Sequence, residues 1–148
     1  MQTILSPGEK NYKLHLYLNI KKLFKNNKYK QTIKEATNYL NLYPNDENVR
    51  FMRAKCNKIL NNFNETIEDL KYILNNDNND VYALAELYYT YYFLNMYEEA
   101  LKLLPKVYET RCIKPHSVAI SELVMKKQIG KKINIKDGSD VIILKIKY

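Results

Sequence analysis

The sequence predicts an all-α protein built from similar helical hairpins, and three observations support that fold class. Aromatic residues recur 34 positions apart at Tyr29, Phe63 and Tyr97. A second column with the same spacing consists of Thr32, Thr66 and Ala100. Within each block, apolar residues follow the spacing of an amphipathic helix. Agreement of independent columns at one offset is the signature of a repeat architecture.

The apolar spacing predicts two helices in each block. The first helix has a clear start, because Ser6 is a good cap, Pro7 suits the first turn and Glu9 can reach back to the cap. The predicted helices lie near 8–25, 29–42, 47–60, 63–75, 81–94 and 97–111.

Short breaks inside each block are centred on Asn27, Asn61 and Asn95. Asparagine adopts the left-handed backbone conformation more readily than other residues with a side chain, so we expect a tight turn at each position. The longer breaks between blocks end in Asp46 and Asp80, which are placed to cap the following helices. Proline in a helix interior removes a hydrogen bond, and this predicts a kink or a split near Leu104 in the last helix.

A unit of 34 residues with two antiparallel helices and these aromatic and small residues resembles the tetratricopeptide repeat (TPR). The resemblance implies a right-handed α-α superhelix of three TPR-like hairpins, at about 12–45, 46–79 and 80–113. Residues 115–128 resemble the helix that closes such arrays, which gives a helical array over 1–128. The chain departs from the family pattern, because Thr32 and Thr66 stand where a small alanine is usual.

The pattern of apolar and turn residues over 129–148 predicts a short β-like tail. Ile133 to Ile135 and Val141 to Ile146 flank Asp137-Gly138, a strong tight-turn signal. Because an isolated hairpin is marginally stable, we expect it to dock on the last helix, pair with another chain, or belong to a longer protein truncated at Tyr148. Pairing through the tail would give a homo-oligomer.

The composition argues against catalysis. Three glycines cannot form a phosphate-binding loop, and two histidines and two cysteines show no metal-ligand spacing. We therefore expect no enzyme activity, no cofactor and no metal site. The acidic pairs Glu68-Asp69 and Glu98-Glu99 are interpreted as solvated charges on helix faces.

No signal peptide or membrane-spanning stretch is evident, and unpaired cysteines suit a reducing compartment, so the expected location is cytoplasmic.

The net charge of +8 is concentrated at the two ends of the chain. Residues 1–44 carry a balance of +6 and residues 114–148 a balance of +5. The basic ends make nucleic-acid binding an alternative function. However, 21 of the 24 basic residues are lysines, and specific readout of bases relies on the arginine fork. A solvated lysine surface is the simpler interpretation.

The resemblance to TPR arrays implies that the first helix of each unit lines a concave groove. An acidic peptide with apolar anchors would suit aromatic and lysine side chains of this kind. We expect Tyr88 and Tyr91 to pack on the closing helix instead. The predicted groove residues are Tyr17, Lys21, Phe24, Lys25, Phe51, Met52, Lys55, Lys58, Tyr82, Tyr89, Tyr92 and Phe93.

Some members of the family clamp a C-terminal carboxylate with lysine and asparagine side chains, and this chain does not match that pattern. The corresponding positions hold Tyr17 and Lys21, then Met52, then Tyr82 and Glu86, whose charge would repel a carboxylate. The working hypothesis is therefore a non-catalytic adaptor or regulator that binds a protein segment in the groove. A structural spacer or dimerisation segment of a larger protein is a further alternative.

Overall fold

The computed structural model describes residues 4–136, with side chains through residue 131. All regular structure in this range is helical. The helices are α1 (Pro7–Lys25), α2 (Tyr29–Leu42), α3 (Glu47–Ile59), α4 (Phe63–Asn76), α5 (Val81–Phe93), α6 (Tyr97–Thr110) and α7 (Pro115–Lys136). The predicted bounds of the first six agree with these to within one residue. The chain divides into unit 1 (Met1–Asn76) and unit 2 (Asp77–Tyr148).

The three asparagine turns have the predicted left-handed backbone. The φ angles of Asn27, Asn61 and Asn95 are 59°, 63° and 59°. After α1, the N–H of Lys28 donates to the carbonyl of Leu23 and the N–H of Asn27 to that of Phe24. The same pair of bonds closes α3 and α5. These are Schellman caps, which satisfy carbonyls that a helix end would otherwise leave without a donor.

The predicted helix starts are also confirmed. The Oγ of Ser6 accepts from the N–H of Glu9, and a carboxylate oxygen of Glu9 accepts from the N–H of Ser6 at 2.7 Å. Asp46 and Asp80 accept from the N–H groups of Val49 and Ala83 at 3.2 and 2.9 Å. Each side chain satisfies an N–H that has no partner within the helix, so local chemistry determines where α1, α3 and α5 begin.

Unit 1 has a continuous apolar core between α1, α2 and α3. Its fully buried members include Ile20 of α1, Tyr39 of α2 and Val49 of α3. The threonines at the small-residue positions are buried too. The hydroxyl of Thr32 donates to the carbonyl of Lys28, and that of Thr66 donates to the carbonyls of Asn62 and Ala54. Threonine therefore replaces the family's alanine without leaving a buried hydroxyl unpaired.

Asp69 is buried in unit 1, so the prediction that it is a solvated charge is wrong. Its carboxylate accepts from Nε and Nη2 of Arg53 at 2.8 and 2.7 Å and from Nη1 of Arg50 at 3.1 Å. The guanidinium of Arg50 also lies 3.8 Å above the ring of Tyr72. The hydrogen bond from Arg53 to Asp69 raises the pKa of Arg53. The ion pairs join α3 to α4 and compensate for the burial of the charges.

In unit 2, buried residues lie on all three helices. Leu87 of α5, Val107 of α6 and Val118 of α7 are each at most 2% exposed. The hydroxyls of Tyr88 and Ser121 form a buried hydrogen bond between α5 and α7. This contact confirms that Tyr88 packs on the closing helix.

Two predictions for the C-terminal part are corrected. The predicted split at Pro105 is wrong, because α6 continues through it as one helix, with buried Leu104 and Val107 packed on either side of the proline; the alternative of a kink stays a prediction. α7 extends to Lys136 instead of ending at 128, so residues 133–135 are helical and do not form a strand. Extending a helix adds a hydrogen bond for each residue fixed, whereas a three-residue alternation is too short to define a strand. The remainder of the predicted tail, 137–148, lies outside the described residues.

Candidate functional site

On α1, the predicted groove residues share one helix face because they are spaced by four and three positions. Lys21 is exposed, whereas Tyr17 and Phe24 are half-buried and pack against the core of unit 1. The two rings are therefore held in place by the core and still present an edge to solvent. Rigid aromatic side chains beside a charged one are suited to anchoring a peptide, since little side-chain freedom is lost on binding.

On α3, the predicted residues divide between surface and core. Phe51, Lys55 and Lys58 are half-buried, and the Nζ of Lys55 lies 5.7 Å from the centre of the Phe51 ring. Met52 is only 8% exposed and belongs to the core cluster of unit 1. Met52 therefore supports the surface from beneath and offers little area to a ligand.

The charges on α1 and α3 have two different roles. The two arginines of α3 are held by Asp69, and their side chains are only 13% and 19% exposed. Lysines supply the positive charge at the surface, since Lys21 and Lys25 are exposed on α1. Lysine provides a mobile point charge and not a bidentate fork, so these positions offer positive charge with little geometric selection.

A pocket of about 540 Å³ opens beside the first half of α1. Its volume lies within the range of small-ligand sites. One wall is apolar and consists of Ile4, Leu5, Leu14, Tyr17 and Tyr39. Tyr17 is the only predicted groove residue in this lining.

The polar part of the pocket carries two lysines, one carboxylate and the amide of Asn48. Lys10 and Lys13 lie along α1, and Asp46 lies at the start of α3. The hydroxyl of Tyr39 donates to Asp46 at 2.6 Å. Burial and this hydrogen bond both raise the pKa of Tyr39, so the hydroxyl stays protonated as a donor. Asp46 is thus occupied by Tyr39 and by the cap of α3, whereas the lysines face the pocket.

Sequence reasoning missed Lys10, Lys13 and Leu14 as site residues. Lys13 and Leu14 lie one helical turn before Tyr17, and Lys10 lies two turns before it. Extending the face of Tyr17 backwards along α1 would have included these positions. The contributions of Tyr39 and Asp46 depend on the packing of α2 and α3, and no local pattern in the sequence indicates them.

Unit 2 presents a separate row of aromatic residues on α5. Tyr82 and Phe93 are 73% and 67% exposed, and Tyr89 is also exposed. Tyr92 is half-buried, and its ring centre lies 6.1 Å from that of Tyr97. The four predicted residues of this unit are thus on or near the surface, in contrast to the buried Tyr88 and Tyr91.

Elsewhere in unit 2, Glu122 of α7 joins two helices. It accepts from Lys126 and from the hydroxyl of Tyr108, each at 2.6 Å. The bonds from Lys126 and from Tyr108 lower the pKa of Glu122, and the same carboxylate raises the pKa of Tyr108 to about 12. The group is a structural tie between α6 and α7.

Chemistry of other kinds finds little support in the described part of the chain. No group of three or more histidine, cysteine or acidic residues there is arranged to hold a metal ion. Burial raises the pKa of Cys56 to about 11, so its thiol is a poor nucleophile. Among helices α1 to α7, none has both the length and the apolar character needed to cross a bilayer.

The solved structures that resemble this chain include a complex of a TPR domain. The structure described as the TPR2B-domain:pHsp70 complex of yeast Sti1 superimposes with a TM-score of 0.64 and 19% sequence identity. The match covers 78% of this chain and 97% of that one. The chain has a TPR-like fold. No protein-family model matches this TPR-like chain, and no curated protein matches it significantly in sequence.

Proposed function

We propose that this chain is a non-catalytic interaction module in which unit 1 binds an acidic peptide segment over α1 and α3. The observation that carries the proposal is the surface of α1, where half-buried Tyr17 and Phe24 flank exposed Lys21. The aromatic rings supply apolar contact area, and the lysine attracts carboxylates. The structural neighbour, described as a complex of a TPR domain, supports a binding role for this fold.

Phe51, Lys55 and Lys58 extend the proposed surface onto α3. Arg50 and Arg53 of α3 are paired with Asp69 of α4, so we assign the attraction of an acidic ligand to the lysines of this helix. We propose that the aromatic row of α5 in unit 2 is a further contact surface, formed by Tyr82, Tyr89, Tyr92 and Phe93.

Reducing conditions suit the unpaired cysteines, and we propose a cytoplasmic setting for the module.

A random peptide library selected on the protein provides ligands with which to test the proposal. We expect the selected peptides to be acidic and to contain aliphatic or aromatic residues. Reversing one charge with Lys21→Glu should weaken their binding about fivefold, measured by fluorescence anisotropy, because an exposed attraction becomes a repulsion. The matched control is Lys34→Glu, which reverses an exposed charge on α2.

A clearly larger loss of binding with Lys21→Glu than with Lys34→Glu would support binding on α1. Equal weakening by both variants would show that the peptide responds only to net charge, and the proposed surface would be wrong.

Nucleic-acid binding is the competing function. It predicts binding to single- or double-stranded probes that falls steeply with salt, and such binding together with a failed peptide selection would replace the proposal.

A further inference from the structure

We infer that the pocket beside the first half of α1 is an anchor site for an internal peptide segment in which an aliphatic residue adjoins an aspartate or glutamate. This inference rests on the proposed function and adds a site that shares only Tyr17 with the predicted groove. Its physical basis is the juxtaposition of an apolar wall with two lysines. Leu5, Leu14 and Tyr17 form part of the wall, and Lys10 and Lys13 lie on the same helix.

The size and lining of the pocket fit an aliphatic side chain. A volume of about 540 Å³ holds such a side chain together with a short stretch of backbone. Leu14 is 54% exposed, and Ile4 is 90% exposed, so a ligand would cover apolar area that now faces water. Removing that area from water is the favourable term that anchors the residue.

The charges of the pocket favour an acidic neighbour for that aliphatic residue. In the part of the chain that the structure describes, neither Lys10 nor Lys13 forms an ion pair with an acidic residue. The Nζ of Lys13 lies 4.9 Å from the centre of the Tyr43 ring, which keeps the ammonium close to the pocket. The one carboxylate in the lining, Asp46, already accepts from Tyr39 and from the N–H of Val49.

The position of Asp46 also distinguishes an internal segment from a chain end. A C-terminal carboxylate is attached to the backbone of the anchored residue, so it has little freedom to move away from Asp46, which lines the same pocket as the apolar wall. An acidic side chain on the neighbouring residue can instead extend along α1 toward Lys10 and Lys13. Since like charges repel, the pocket favours the internal segment, whose carboxylate can stay with the lysines.

The test uses three short peptides and nuclear magnetic resonance of the isotope-labelled full chain. One peptide contains Asp-Leu and has both ends blocked, the second replaces Asp by Asn, and the third has Ser-Leu with a free C-terminal carboxylate. We expect the first peptide to shift amide signals of residues around the pocket, such as Leu14 and Tyr17. We expect it to bind at least threefold more tightly than the other two.

Matched variants of α1 identify the residues responsible. Lys10→Gln and Leu14→Ala should each weaken the Asp-Leu peptide about threefold to fivefold. Lys22→Gln and Leu18→Ala are the controls, because they change exposed residues of the same helix that do not line the pocket. All four positions are exposed, so the variants are expected to fold, which circular dichroism would verify.

Several results would overturn the inference. The inference is wrong if the peptide with the free C-terminus binds more tightly than the Asp-Leu peptide, or if the Asn peptide binds as tightly as the Asp-Leu peptide. It is also wrong if the pocket variants and the control variants weaken binding equally, or if the peptide shifts only amide signals of residues away from the pocket. Self-association that protects Leu14 in place of peptide binding would assign the pocket to a second copy of the chain. If library peptides depend on Lys21 and not on Lys10 or Leu14, the proposed function stands and only the pocket assignment fails. If neither set of peptides binds, both fail.

Discussion

Replacing Asp69 by asparagine should destabilise unit 1 by about 3 kcal/mol. The carboxylate receives three hydrogen bonds of 2.7, 2.8 and 3.1 Å from two guanidinium groups. Removing one partner of a buried ion pair costs about 3–5 kcal/mol, because the other charge stays in place without compensation. The arginine side chains retain 13% and 19% exposure, so water can replace part of the lost interaction, and we expect the lower end of the range.

Urea unfolding followed by far-UV circular dichroism measures this change. With a slope of about 2 kcal/mol per molar urea, the midpoint of the unit 1 transition should fall by about 1.5 M. Glu68→Gln is the matched control, since it removes the neighbouring, exposed charge on the same helix and should cost less than about 0.5 kcal/mol.

A double-mutant cycle with Arg53→Met tests whether the loss comes from the ion pair. We expect a coupling of about 1–3 kcal/mol between the two substitutions, because each one removes the same interaction. If Asp69→Asn costs no more than Glu68→Gln, or if the coupling with Arg53→Met is close to zero, the ion pairs do not hold α3 to α4.

The other predictions concern a turn, a carboxylate and a thiol. Asn61→Ala should destabilise unit 1 by about 1 kcal/mol and Asn61→Gly should be close to neutral in thermal unfolding, because only alanine is strained at positive φ; equal effects would contradict this. The pKa of Glu122 is lower in the folded chain than its ordinary value of 4.5. Its ionised carboxylate therefore stabilises unit 2 fully above pH 4.5, and this stabilisation is lost as the pH falls through the pKa of the folded state. In acid titrations of stability, Glu122→Gln should therefore show a shallower loss than the parent, and an unchanged profile would be the contrary result. With a thiol reagent near neutral pH, half-buried Cys112 should react faster than buried Cys56. If both thiols react at the same rate without denaturant, the structure around Cys56 opens readily and the prediction is wrong.

The positions of the helices could be predicted closely because local chemistry determines them. Asn27, Asn61 and Asn95 each end a helix through bonds contained within a few residues, and Asp46 and Asp80 begin the next ones in the same way. Such signals depend on neighbours along the chain, so the sequence displays them directly. The interval of 34 then repeats them.

Burial of polar residues was harder to predict, as Asp69 shows. A charged residue is usually solvated, and this general tendency predicts exposed side chains for Glu68-Asp69. Yet Asp69 lies three positions after buried Thr66 and four before buried Ile73, which places it on the inner stripe of α4. Arg50 and Arg53 are likewise one turn apart on α3. Helical spacing contained the signal, but the pairing depends on how α3 and α4 pack.

The candidate site was predicted in part for a related reason. Spacing along α1 identified Tyr17, Lys21 and Phe24 as one face, whereas it could not show that Met52 is in the core. The pocket itself was not predictable, because its walls combine the start of α1 with Tyr39 and Asp46, which are distant along the chain. A cavity is a property of packed helices and has no local pattern.

The asparagine turns have a consequence for how the chain folds. Each Schellman cap is completed within about six residues, so a helix pair can begin to close before any contact between distant residues forms. Asparagine is also less flexible than glycine in the unfolded chain, which reduces the entropy lost in making the turn. Local contacts of this kind favour rapid folding, and we expect the hairpins to nucleate early, with the ion pairs of α3 and α4 consolidating later.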